Sequence, residues 1–296
     1  MRSYSPGPPL TTKQATAVVK AYDQANSKAS FTLNTTLQGL HEEGVTARID
    51  GQYFRALRLM GKHSAAPGAT PPVWSIAVIV PHQTTTPAEF LALISLPGHS
   101  SFGRGLLVLR KDAHGSNWRT DYEIDLPPGA TLPPVAPRMV TPSRSAVAAL
   151  AAYWQAASRA AAPLGDLLPG RFTTQLTLGL RTTNASTLSQ HHARETERIA
   201  VDPARPLAFR LQDGGQLVCA ALDVAFRVRA APGSGVTFVQ PAGRSTLPPF
   251  LAPGRYTGFT EREVFEVALV VPPQGRGIQV VGLYDQLVGA SGAHSG

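Results

Sequence analysis

The chain has 296 residues, 43% of them apolar and 16% charged, with 27 glycines and 26 prolines, so it has the apolar material for two ordinary cores broken by many loops. That balance excludes a fibrous or wholly disordered chain. The formal charge of +8 comes almost entirely from scattered arginines without basic runs or interleaved aromatics, which argues against nucleic acid, and the single cysteine, Cys219, excludes an intramolecular disulfide.

Residues 1–10, MRSYSPGPPL, read as a flexible linker. A first domain is expected over 11–130, a Pro-rich connector over 131–140, a second domain over 141–290 and a disordered tail over 291–296. The first domain opens with the spacing of a capping box at Thr11 and Gln14. Ala15, Val18, Val19, Tyr22, Asn26 and Ala29 then follow the helical period, which predicts an amphipathic helix. A shorter helical pattern covers 47–60, and strands are predicted at 72–81, 89–95, 105–112 and 117–126. In the last, Trp118, Thr120, Tyr122 and Ile124 alternate with Arg119, Asp121, Glu123 and Asp125. That period predicts one solvated face carrying an acidic row.

The second half repeats this order. Thr141 and Pro142 suit the start of a helix whose stripe is Val147, Leu150, Tyr153, Ala157 and Ala160. A helical pattern is again read at 187–200, TLSQHHARETERIA. Strands at 206–212 and 216–229 flank the hairpin signal DGG, and strands at 261–272 and 277–287 flank PQGR. The two leading helices even share a phrase, AYDQANSKAS at 21–30 and AYWQAASRAA at 152–161, which points to duplication of one unit. No stretch approaches the roughly 18 apolar residues of a membrane helix, and no signal-peptide core is visible.

This order of elements resembles the NTF2-like fold, in which a curved antiparallel sheet wraps a long helix. The closing segment FLAPGRYTGFTEREVFEVALVVPPQGRGIQVVGLYDQL, with LLVLRKDAHGSNWRTDYEIDL before it, is similar to actinobacterial lipoproteins carrying a C-terminal domain of unknown function. The resemblance implies an α+β protein of two tandem NTF2-like domains, each a long N-terminal helix packed on a curved sheet. It also implies an extracytoplasmic protein with a lipid anchor upstream of Met1, and it supplies no catalytic residues.

Direct searches for chemistry return little. His191, His192 and Glu195 would share a face if their segment were helical, which makes them the candidate metal ligands. Asp50 and Tyr53 are spaced as a helix-face pair, and no Gly-x-Ser-x-Gly or phosphate-loop spacing occurs. Tyr22 and Tyr153, at equivalent positions of the repeated helix, and Trp154 beside the second are the candidate ligand-binding residues. No cofactor is expected. The expected function is non-enzymatic binding of an envelope protein or an apolar small ligand. The alternatives are an NTF2-like enzyme with a pocket in one concavity, or a scaffold in which the sheet faces of the two halves pack on each other.

Overall fold

A computed structural model describes residues 10–64, 75–83, 87–95, 104–112, 117–182, 192–238, 250–251 and 254–294. Helix α1 (Thr12–Thr32) starts at the predicted capping box: the Thr11 hydroxyl accepts from the Gln14 backbone N–H, and the Gln14 side chain accepts from the Thr11 N–H. Leu33 closes it in the left-handed conformation, and α2 (Thr35–Gln38) and α3 (Gly44–Leu59) follow. Strands β1 (Ser75–Ile79), β2 (Ala88–Ser95), β3 (Arg104–Lys111) and β4 (Arg119–Leu126) form an antiparallel sheet in that order.

In the second half, β5 (Val135–Met139) precedes α4 (Arg144–Ala157), a π-helical turn (Arg171–Gln175) and a short helix at 176–182. Then come β6 (Ala193–Val201), β7 (Leu207–Leu211), β8 (Gln216–Ala230), β9 (Val236–Phe238), β10 (Gly254–Val271) and β11 (Gln279–His294). The second sheet runs β11-β10-β8-β7-β5, with β6 pairing the outer half of β8 and β9 the start of β10. Both hairpin signals in this half are realised, DGG between β7 and β8 and PQGR between β10 and β11. Residues 135–139, inside the stretch read as a connector, pair with β7.

Alternation along the strands fixes how the layers stack. On one face of the first sheet, Phe90, Ala92, Ile94, Leu107 and Leu109 pack against Ala15, Val19 and Tyr22 of α1. On its other face Leu91, Leu106, Val108, Tyr122, Ile124 and Leu126 meet Leu207, Phe209, Leu217, Cys219 and Val270 of the second sheet. The outward face of that second sheet, with Val218, Leu222, Phe265 and Val267, is covered by Val147, Leu150, Tyr153 and Trp154 of α4. The result is a sandwich of α1, sheet, sheet and α4, an α+β architecture with both sheets antiparallel.

Three local readings change. Residues 193–201 form a strand, because Arg194 to Val201 pair residue by residue with β8 and sheet pairing overrides a weak helical preference. Helix α4 is capped by Ser143, whose hydroxyl accepts from the Ala146 N–H, two residues after the expected Thr141. The face of β4 taken as solvated is largely covered. Pairing slips between Val108 and Leu109, leaving Asp121 as the extra residue of a β-bulge. Beyond the bulge, Glu123 points beneath α1 rather than into water, where the Tyr22 hydroxyl meets it.

Candidate functional site

Two places gather chemistry. The first is interior, at the corner where α1 and α3 cross the edge strands β4 and β11. The backbones approach so closely here that a Cβ on Gly282 would lie 2.8 Å from Ile124 Cγ2 and 2.9 Å from the Asp125 carbonyl oxygen. Helix α3 can enter the corner because Gly44 takes a positive φ and a side chain there would overlap the Asp121 carboxylate.

The Tyr22 hydroxyl donates to Glu123 Oε2 at 2.8 Å, and Asn26 Nδ2, one helical turn on, donates to the Tyr22 oxygen at 3.4 Å. The Glu123 backbone N–H donates to Glu266 Oε2 at 2.9 Å, while Thr46 Oγ1 donates to Glu266 Oε1 at 3.0 Å. Gln38 Nε2 donates to Glu42 Oε2 at 2.7 Å. Among the described residues no donor is placed on Glu42 Oε1, and the Asp50 carboxyl and the Tyr22 hydroxyl are the neighbouring groups that can donate to Glu42. Asp50, Glu123 and Tyr284 keep a partly exposed edge, whereas Glu42, Glu266 and Tyr22 are buried.

Burial is the main cause of unusual acidity here, and like charge adds to it. It pushes Glu42 up to about 7, against the donation from Gln38 and with repulsion from Glu123. It raises Asp50 and Glu266 well above the carboxylate range, Asp50 further by the charge of Glu42. Glu123 is raised by burial and eased back by the Tyr22 hydrogen bond. The Tyr22 and Tyr284 hydroxyls stay protonated for the same reasons. Asp125 is carried to about 7 by burial and by Glu123 and Asp285, so titrating carboxyls run from the exposed Asp285 inward. Chemically the corner stores and shares protons at neutral pH.

The second place is a cleft of about 630 Å³ between β2, the start of β7 and the link from β5 into α4. Arg138, Arg144 and Arg205 are exposed around it, and the buried Glu89 lies at its base. Glu89 is held through its backbone, whose N–H donates to Gln83 Oε1 at 2.8 Å, and its Oε1 lies 3.6 Å from Arg205 Nη1. Tyr122 steadies the Arg205 segment by donating to the Arg205 carbonyl oxygen at 3.0 Å. Burial raises the Glu89 carboxyl, and the charges of Arg205 and Arg110 pull it back.

A family model described as a domain of unknown function, DUF8094, matches residues 6–292. The chain belongs to the DUF8094 family. No curated protein matches it.

The candidate residues read from this DUF8094 sequence are dispersed. Tyr22 joins the carboxyl corner, but Tyr153 sits across the molecule, its hydroxyl 3.4 Å from Thr177 Oγ1. Trp154 is buried, donating to the Phe172 carbonyl oxygen at 2.9 Å with its ring against Phe265. His192 takes a positive φ just before β6 and Glu195 lies within that strand, so the helical spacing that brought them together is not formed; His191 lies outside the described residues. Among the described residues no group of three or more His, Cys, Asp or Glu side chains is placed to hold a metal ion.

Sequence reasoning missed Glu42, Glu266, Tyr284 and Glu89. For Glu266 and Glu89 the one signal is a lone acid inside an otherwise apolar strand, as in VFEVALVV and AEFLALIS, and Glu42 and Tyr284 carry none. Arg138, Arg144 and Arg205 are adjacent only once β5 and β7 have paired.

Proposed function

We propose that this DUF8094 chain is a non-catalytic, extracytoplasmic binding protein of the cell envelope, and that the arginine cleft receives a ligand bearing a carboxylate or phosphate. The similarity of its strand and turn segments to envelope lipoproteins supports the location. On this reading the two helix-plus-sheet units are diverged copies of one NTF2-like unit, and the shared Ala-Tyr-x-Gln-Ala phrase of α1 and α4 is its support.

The observation that carries the ligand class is the convergence of Arg138, Arg144 and Arg205 on one open cleft of about 630 Å³. Guanidinium groups bind planar oxyanions through paired hydrogen bonds, and a cleft of this size accepts a small molecule or the acidic end of a partner. An apolar guest beneath a helix is a poorer match. Side chains fill both helix-to-sheet interfaces, and the gap beside Trp154 and Phe265 holds only about 20 Å³. A gap of that size admits about one water and no organic ligand.

The test is thermal unfolding with inorganic phosphate, citrate and a dicarboxylate series. A ligand at a hundredfold excess over its Kd adds about 2.7 kcal/mol of stability. A rise in Tm with at least one anion, lost in the Arg138→Ser, Arg205→Ser double variant, supports the reading. An unchanged Tm with every anion, or a rise that survives the double variant, overturns it.

A further inference from the structure

The outer halves of β6, β8, β10 and β11 carry a second charged feature, independent of the cleft. Register puts Arg194 directly opposite Arg229 across the β6–β8 pair, and Arg198 opposite Ala225, which is itself opposite Arg262 on β10. Arg227 lies between Thr196 and Thr260 in the same rows. All five arginines therefore project from one side of the sheet, the side that α3 covers nearer its middle, and all five are exposed. None of them is held in a salt bridge among the described residues.

The opposite side of the same strands is acidic. Glu195 pairs with Val228, Glu197 and Glu261 with Phe226, and Glu263 with Val224, and their side chains share the α4 side with those apolar residues. On the arginine side, from the Asp223–Val264 row outward, Asp223 is the one carboxylate among the described residues, and Arg48 lies 3.3 Å from it. Charges are thus sorted by face, and a like-charged pair, Arg194 with Arg229, is placed in direct cross-strand opposition, which weakens a sheet. A fold that keeps such a pair without an internal counter-ion is built to meet negative charge from outside.

We propose that this arginine face docks on an anionic phospholipid bilayer. A bilayer offers a repeating array of phosphates, and this side of the sheet offers several exposed guanidinium groups in neighbouring rows. An open depression of about 430 Å³ between Arg227, Arg229, Thr260 and Ser291 supplies charged and hydroxyl donors where one headgroup phosphate can sit. Among the described residues Gly, Ala, Ser and Thr predominate between the outer arginines, with Val288 partly buried near Arg262, so large apolar anchors of a protein interface are sparse. Phe259 is the one aromatic residue lining the depression among the described residues, too few rings for a stack of bases. Juxtamembrane arginines need no such anchor, because each gains about 1 kcal/mol from the surface potential alone.

The experiment is co-flotation of the full chain with vesicles of phosphatidylcholine alone and of phosphatidylcholine with phosphatidylglycerol, at low and at high salt. Retention on the anionic vesicles only, weakened by salt, is expected. The Arg227→Ser, Arg229→Ser variant should lose roughly thirtyfold in apparent affinity, about fivefold for each arginine. A matched variant, Lys13→Ser with Arg276→Ser, removes the same charge from exposed positions elsewhere and should lose little. Equal losses in the two variants would assign the binding to net charge and overturn the face. Absence of retention at low salt would overturn it as well, and binding to polyglutamate without binding to vesicles would give the face to a protein partner instead.

Discussion

At the scale of single residues, the carboxyl corner makes stability depend on pH in an unusual direction. An unfolded glutamate titrates near 4.5, whereas folded Glu42 holds its proton to about 7. Between those values the folded state binds more protons than the unfolded state, so stability falls as pH rises through that window. Asp50 and Glu266, also raised by burial, act in the same direction. The molecule should therefore be more stable at pH 5 than at pH 8, opposite to proteins whose carboxylates are salt-bridged. Glu42→Gln keeps an acceptor for Gln38 and removes the need to ionise a buried group. At pH 8 it should stabilise by about 3 kcal/mol, on the order of 1.4 kcal/mol for each unit of pKa displacement, and it should flatten the pH profile. Urea unfolding across pH 5 to 8 measures both effects, and a wild-type profile that rises with pH would refute the account.

At the scale of elements, the helices and hairpins were legible because their signals are local. Thr11 with Gln14 marks the start of α1, DGG and PQGR mark two turns, and the stripe through Tyr22 and Tyr153 marks two buried faces. What was not legible depends on partners distant in sequence. The acidic row of β4 reads as solvent-facing by alternation alone, and only the crossing of α1 over that face covers Glu123, while the bulge at Asp121 moves Thr120 to the same side. Residues 193–201 read as helix until β8 supplies a ladder. The clefts are less legible still, since the arginines that line them come from strands paired at long range. The β4–β11 crossing can be tested directly. Gly282→Ala would drive a methyl into Ile124 and the Asp125 carbonyl, and overpacking of this kind costs about 1–3 kcal/mol. Gly289→Ala, a few residues along the same strand with open space around its Cα, should change stability by less than about 0.5 kcal/mol. Comparable losses at both sites would mean that β4 and β11 do not meet as described.

At the scale of the whole molecule, the shared core couples the two sheets. Two helix-plus-sheet units would be free to fold separately if each buried its own apolar surface. Here each helix covers only the outer face of its sheet, and the inner faces cover each other. Leu91, Leu106, Val108, Tyr122 and Ile124 from one half are buried by Phe209, Leu217, Cys219 and Val270 from the other. Cutting the chain would expose that interface on both pieces, and fully burying one such side chain is worth about 1.5–3 kcal/mol. The loss from several of them exceeds the roughly 5–15 kcal/mol by which a domain is normally stable. The intact chain should therefore unfold in one calorimetric transition whose van't Hoff and calorimetric enthalpies agree. Residues 11–130 and 131–294, produced separately, should bind hydrophobic dyes and lack sharp unfolding, and mixing them should restore a cooperative transition. Two resolved transitions in the intact chain, or a half that melts sharply alone, would show that the two units fold independently. The shared core would then be a contact between finished domains rather than the condition for folding.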